Sequence, residues 1–255
     1  AQLDVLGGCA GASPAALPQH EVTLPPYFID EHEVTVSAYQ GCVDAGACSE
    51  PDTPEVGAVW HEQCNWLHPA RGEHPMNFVS WDQAHSFCAW RGDRLPTEAE
   101  WEKAATGGCE LYPDGDCKAS TSPWPWGSWD VDWATKEATV CDYAVADGAC
   151  AEGPGCCNGI TSEVGAHPAG ASAYGAVDMA GNVSEWVSDW FDPGYYAVSP
   201  PINPMGPPSG VVHSYRGGSF LSAGVEHIAT SARNGQAVID DAAMGFRCVR
   251  SAGAP

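Results

Sequence analysis

The sequence predicts a single α+β domain, low in regular secondary structure and rich in disulfides. Three observations carry this. Two segments have complete helix-start signals, short strand-like runs are scattered along the chain, and a long middle stretch holds turns, cysteines and aromatics without any period. The 255 residues include 12 Cys, 29 Gly and 21 Pro, a composition suited to staples and turns rather than long elements. No linker divides the chain and no fixed-period repeat is visible, so one domain is expected.

Glu21–Leu24 and Tyr27–Asp30 read as short strands joined by Pro25-Pro26. Val34-Thr35-Val36 extends that signal, and Ser37 is expected to cap a short helix running to Ala45. Ser80-Trp81-Asp82-Gln83 is a capping box, with Trp81, Ala84, Phe87 and Cys88 on one face and Gly92 as the stop. Thr97-Glu98-Ala99-Glu100 is a second box, with Trp101, Ala104 and Ala105 as its apolar stripe and Gly107-Gly108 as its end. From Gly107 to Gly170 the chain is irregular and needs staples or ions, because its backbone polar groups lack regular partners. Ser214–Phe220 and Gly245–Arg250 are the last strand-like runs.

The charge excludes one class of partner. With 33 acidic and 10 basic residues the formal charge is −23, which repels nucleic acid at long range. No apolar run is long enough for a transmembrane helix. The cysteines point to an oxidising compartment, secreted, cell-surface or periplasmic. A cysteine metal site is disfavoured, since no CxxC pair is present. The chain begins at Ala1 without an apolar leader, so a signal peptide is expected to have been removed. Short loops suggest the pairs Cys42–Cys48 and Cys109–Cys117. Cys141, Cys150, Cys156 and Cys157 crowd one Gly-rich stretch and are expected to pair among themselves; Cys9, Cys64, Cys88 and Cys248 remain for longer links.

Several segments, in order, resemble one family. They are Tyr27–Thr35, His74–Trp81, Arg94–Glu102, Pro125-Trp126-Gly127, Tyr174–Trp186, Arg216–Phe220 and Gly245–Cys248. Together they are similar to the formylglycine-generating enzyme, or sulfatase-modifying factor, domain. The match spans about residues 20–250, leaving 1–19 as an N-terminal segment and 251–255 as a tail. The resemblance implies a C-type-lectin-like fold.

The resemblance also implies a structural calcium. Asp178 and Glu185 would supply carboxylates, Gly181 and Val183 carbonyls, and Asn182 would brace the loop. Members that oxidise a sulfatase cysteine bind Cu(I) through a Cys-x4-Cys pair after the Gly-Gly-Ser-Phe block. Here Ser222 and His227 stand at those positions, in a segment about two residues shorter than usual. A hydroxyl cannot replace a thiolate on Cu(I), so copper and standard formylglycine formation are not expected. The family's aromatic within the Gly-Asn-x-x-Glu-Trp block is Ser184 here, a second departure at the cleft.

Ser222, Glu226 and His227 are the candidate residues for any rebuilt chemistry, His227 as metal ligand or base. His61 and His68 lie in a loop, His74 and His85 near scaffold blocks, and there is no GxSxG. Trp124, Trp126, Trp129 and Trp133 lie in the acidic middle; they are candidates for gripping a sugar or a partner, or for a local mini-core. The resulting expectation is an exported, non-catalytic domain for recognition or surface assembly, held by disulfides and calcium. It could bind protein or glycan, or self-assemble. The alternative is an oxidase or protein-maturation enzyme with a rebuilt site, and a third reading is a maturation accessory without its own chemistry.

Overall fold

The structure, a computed structural model, describes residues 2–3, 14–18, 20–51, 53, 61–111, 123–127, 143–146, 159–222, 225–236 and 241–253. In chain order its main elements are β1 (Gln2–Leu3), β2 (Glu21–Val22), β3 (Tyr27–Ile29), α1 (Val36–Asp44), α2 (Trp81–Trp90), α3 (Glu98–Thr106), β4 (Ser184–Trp190), β5 (His213–Arg216), β6 (Arg233–Gln236), β7 (Met244–Gly245) and β8 (Val249–Ser251). The α+β expectation holds, with three short helices and small sheets among the described residues.

Both capping boxes form. Ser80 accepts from the Gln83 N–H while Gln83 accepts from the Ser80 N–H, and Thr97 and Glu100 do the same for α3. Gly107 closes α3 at φ 85°, a conformation glycine takes without strain. The cap of α1 differs from expectation: it is Thr35, not Ser37. Thr35 has extended backbone and its Oγ1 accepts from the Ala38 N–H at 3.1 Å. Ser37 lies inside the first turn and its hydroxyl donates to Glu73 instead.

The larger sheet runs β6-β5-β4-β7, with β4 and β7 parallel and the other pairs antiparallel. The strand-like runs at Glu21–Leu24 and Tyr27–Asp30 enter different sheets, β2 with β1 and β3 with β8. The 214–220 run ends early, because Gly217 and Gly218 take φ 89° and 65°. A Cβ on Gly218 would stand 2.5 Å from the His227 carbonyl oxygen, so only glycine fits this approach. The 245–250 run splits between β7 and β8.

The main core gathers Tyr39, Trp66, Phe87, Trp186 and Phe246. Tyr39 packs against the other side-chain rings Trp66, Phe87 and Phe246 with centroids 5.6–6.4 Å apart. Two disulfides staple it. Cys42–Cys48 closes the end of α1, and Cys88–Cys248 ties α2 to the approach to β8 across a sequence separation of 160. Cys64 is buried and unbonded among the described residues. The side chains of Cys9, Cys109, Cys117, Cys141, Cys150, Cys156 and Cys157 lie outside what the structure describes. No described helix is long and apolar enough to cross a membrane.

Candidate functional site

The Gly217-Gly218 turn delivers the segment that carries Ser222 and His227. Phe220 N–H donates to the Asn182 carbonyl at 2.9 Å, which seats the segment on the 178–185 loop. Ser222 is engaged in a local turn. Its Oγ accepts from the Ser219 N–H and its own N–H donates to the Ser219 carbonyl, each at 2.9 Å. Glu226 and His227 sit on a single 3-10 turn with side chains 51% and 59% exposed, and Glu226 Oε1 lies 3.8 Å from His227 Nε2. Among the described residues no hydrogen bond joins Ser222 to either. The three candidates therefore do not form a nucleophile–base pair, which needs hydrogen-bond reach. Ser184 is buried at the start of β4, its N–H donating to Ala243.

The calcium-type loop is part of a buried ionic cluster. Asp178 and Asn182 take φ 58° and Gly181 takes 83°, producing two left-handed bends. Asp178 Oδ2 accepts from the Gly165 N–H at 2.6 Å. Asn182 braces the loop, donating to Glu33 Oε2 and accepting from the Ser162 N–H, both at 3.0 Å. Glu185 accepts twice from Arg247, each bond 2.7 Å, and once from Trp101 Nε1 at 2.8 Å. Of the expected carboxylate ligands, Asp178 has Oδ2 engaged, and Glu185 has both oxygens engaged, Oε2 by two donors and Oε1 by one. Among the described residues no three His, Cys, Asp or Glu side chains are grouped to hold a metal ion. Three carboxylates here share one guanidinium. Burial, then the charges of Asp178 and Glu185, push the Glu33 carboxyl well up, and burial also raises Asp178.

A second buried network lies under β5 and β6. Arg233 donates to both oxygens of Glu98 at 2.8 and 2.6 Å, and Arg216 pairs with Glu102. Asp189 accepts from the Glu98 N–H at 2.9 Å. Arg233 also lies 4.3 Å from the centre of the Tyr196 ring. The network holds α3 against the sheet, although Glu102 Oε1 and Arg216 Nε are buried without a hydrogen-bond partner among the described residues.

Trp124 does not offer a ligand surface. It is 6% exposed and packs with Ala144, Ala146, Ala180 and Ile228, so it belongs to a mini-core. The reason is the Thr230 N–H to Pro123 carbonyl bond of 2.9 Å, which closes this segment over Ile228. Trp126 is partly buried and stacks on Trp124 at 5.8 Å. Trp129 and Trp133 lie outside the described residues.

Two members of the ionic cluster carried no expected role, Glu33 and Arg247. Both stand in blocks that point to the family, Tyr27–Thr35 and Gly245–Cys248, and that placement was the available signal.

The sulfatase-modifying factor enzyme 1-like domain matches residues 4–252. The chain belongs to this family. The domain is 32% identical over 273 residues to the formylglycine-generating enzyme of Streptomyces coelicolor, covering 92% of this chain and 81% of that protein. It is 31% identical over 257 residues to the serine/threonine-protein kinase Pkn1 of Chlamydia trachomatis, covering 92% of this chain but 34% of the kinase. Among solved structures it is similar to PvdO from Pseudomonas aeruginosa, with TM-score 0.75 at 23% identity and coverage of 98% and 90%. It is also similar to Treponema denticola variable protein 1, with TM-score 0.70 at 24% identity and coverage of 99% and 92%. The two structural likenesses speak for the fold alone.

Proposed function

We propose that this is an exported, non-catalytic member of the family, used for recognition or for assembly at a surface. One observation carries the reading: by the family resemblance Ser222 and His227 stand where the copper thiolates would be, and the Ser222 Oγ accepts from the Ser219 N–H in its own turn. Soft thiolates are what Cu(I) requires. The disulfides Cys42–Cys48 and Cys88–Cys248 support export. The test is incubation with a cysteine-containing sulfatase peptide, copper and oxygen. The expected result is unchanged peptide; conversion of its cysteine to an aldehyde overturns the reading.

The kinship with a formylglycine-generating enzyme favours a second reading, an oxidase or maturation enzyme with a rebuilt site at Ser222, Glu226 and His227. Stoichiometric copper or iron that is lost in His227→Ala supports it, and calcium alone counts against it. A maturation accessory would capture another exported protein in a pull-down; self-contacts alone would end that idea.

The calcium that the resemblance implies would share Glu185 with Arg247, through the remaining acceptor capacity of Oε1. A rise in melting temperature on adding calcium, abolished in Asp178→Asn, supports it. No shift, with no calcium by elemental analysis, removes it.

A further inference from the structure

A groove of about 410 Å³ runs beside β3, far in sequence from the Ser222 segment. Six consecutive residues, Leu24 to Ile29, form one wall, and Lys103 and Ala104 of α3 with Glu110 and Tyr174 form the rest. No residue of β8, the strand paired with β3, lines it. The two-stranded sheet has the order β3-β8, so among the described residues no strand covers the second edge of β3. An uncovered strand edge is a template for an added strand. The size and largely apolar lining also match a ligand site, where a few placed polar groups give orientation.

The polar end of the groove is an ion pair whose carboxylate is the more exposed partner. Glu110 Oε1 accepts from the Tyr174 hydroxyl at 2.6 Å and faces Lys103 Nζ at 2.6 Å. The lysine is only 14% exposed while the glutamate is 50% exposed, so a ligand meets the carboxylate rather than the ammonium. Those two partners hold the Glu110 carboxyl down at about 2, against an opposing effect of partial burial, which keeps it anionic. Gly108 leaves room for it, since a Cβ there would stand 2.3 Å from Glu110 Oε2. Phe28, 60% exposed, adds an apolar face at the other wall. The chain's charge of −23 draws cations toward this surface.

We propose that this groove binds an extended peptide segment that adds to the edge of β3 opposite β8 and places a lysine or arginine side chain on Glu110. This goes beyond the non-catalytic reading and does not depend on it, because the groove shares no residue with the 219–227 segment.

The test uses the whole protein and three capped pentapeptides, acetyl-Val-Thr-X-Thr-Val-amide with X as lysine, norleucine or glutamate, titrated calorimetrically. The lysine peptide is expected to bind about two- to fivefold tighter than the norleucine one, the scale of one solvent-exposed ion pair, with the glutamate one weakest. Glu110→Gln should erase the preference for lysine, whereas Glu50→Gln, an exposed acid elsewhere, should leave it intact. N-methylating one strand amide of the lysine peptide should cost about as much again, since strand addition uses main-chain bonds. Should Glu110→Gln fold poorly, Phe28→Ser at the exposed wall should weaken all three peptides together. Absence of lysine-peptide binding, equal binding of all three, or indifference to the N-methyl group would each overturn the proposal.

Discussion

Arg247 and Glu185 form a bidentate pair with two bonds of 2.7 Å, and neither side chain has any exposure. The pair joins β4 to the segment just before β8. Arg247 also donates to the carbonyls of Asp30, Glu31 and Val177, so one guanidinium ties four stretches of chain together. It is the cation that offsets Glu33, Asp178 and Glu185.

Removing that cation should therefore be costly. Arg247→Met leaves a buried carboxylate without its partner and strips three carbonyls of a donor. Breaking a buried pair from one side costs about 3–5 kcal/mol. Urea unfolding of Arg247→Met should show a loss on that scale. Adding Glu185→Gln to it should recover part of the loss, because the stranded charge is gone. If the double variant is as unstable as the single one, charge is not the origin of the effect.

Asp189 sets an unusual pH dependence. Burial first, then Glu98, pushes its carboxyl from 3.8 up to about 7, against the Glu98 N–H, the Ser188 hydroxyl and Arg233. The folded chain thus holds a proton that the unfolded chain releases. This contribution to stability is full below 3.8 and is lost as pH rises through about 7. Glu33 and Asp178, also raised, act in the same direction. Stability should increase on acidification from pH 7 toward pH 5, and Asp189→Asn should flatten that slope. A melting temperature that falls over this range in the natural protein would contradict it.

The two disulfides should differ in worth. Cys88–Cys248 closes a loop with sequence separation 160, and Cys42–Cys48 one with separation 6. Loop-closure entropy gives about 5 kcal/mol for the first and about 2 kcal/mol for the second. The Cys88→Ala/Cys248→Ala variant should lose far more in midpoint than Cys42→Ala/Cys48→Ala. Equal losses would mean that strain or packing, not chain entropy, decides.

What the sequence made legible was local. The boxes at Ser80–Gln83 and Thr97–Glu100 form because a cap and its partner lie three residues apart, within reach of pattern reading. The Cys42–Cys48 turn is local too. β4 was not legible as a strand: Ser184–Asp189 is buried at every position but Ser188, so no alternation marks it. The ionic clusters were hidden for a different reason. Arg216, Arg233 and Arg247 are wholly buried cations, and their partners lie 62 to 135 residues away. Nothing in composition separates them from surface arginines. Trp124 was ambiguous for the same cause, since its burial depends on the distant contact between Thr230 and Pro123. At the 222–227 segment the residue identities were readable, but the use of the Ser222 hydroxyl in its own turn was not.

His213 provides an opposing titration that can be measured separately. Its ring is sandwiched between Trp190 at 3.7 Å and Trp81 at 3.9 Å, with His85 stacked beyond Trp81 at 5.0 Å. Its Nδ1 is buried without a hydrogen-bond partner among the described residues. Burial lowers the imidazole below 6.5 and His85 adds to this, while the Asp189 backbone and Asp82 pull it back up. The folded chain therefore binds fewer protons here than the unfolded chain. Its contribution is present above pH 6.5 and is lost as pH falls through the lowered value. That sign is opposite to Asp189. Asp189 should win in the bulk measurement, because it is wholly buried and strongly shifted whereas His213 is half-buried. Ring-proton shifts of His213 followed by NMR should show a midpoint below that of a model histidine. His213→Phe keeps the ring stack and should make the acid-side gain in stability steeper. A midpoint at or above 6.5 would mean that the two indole faces stabilise the imidazolium by more than burial costs it.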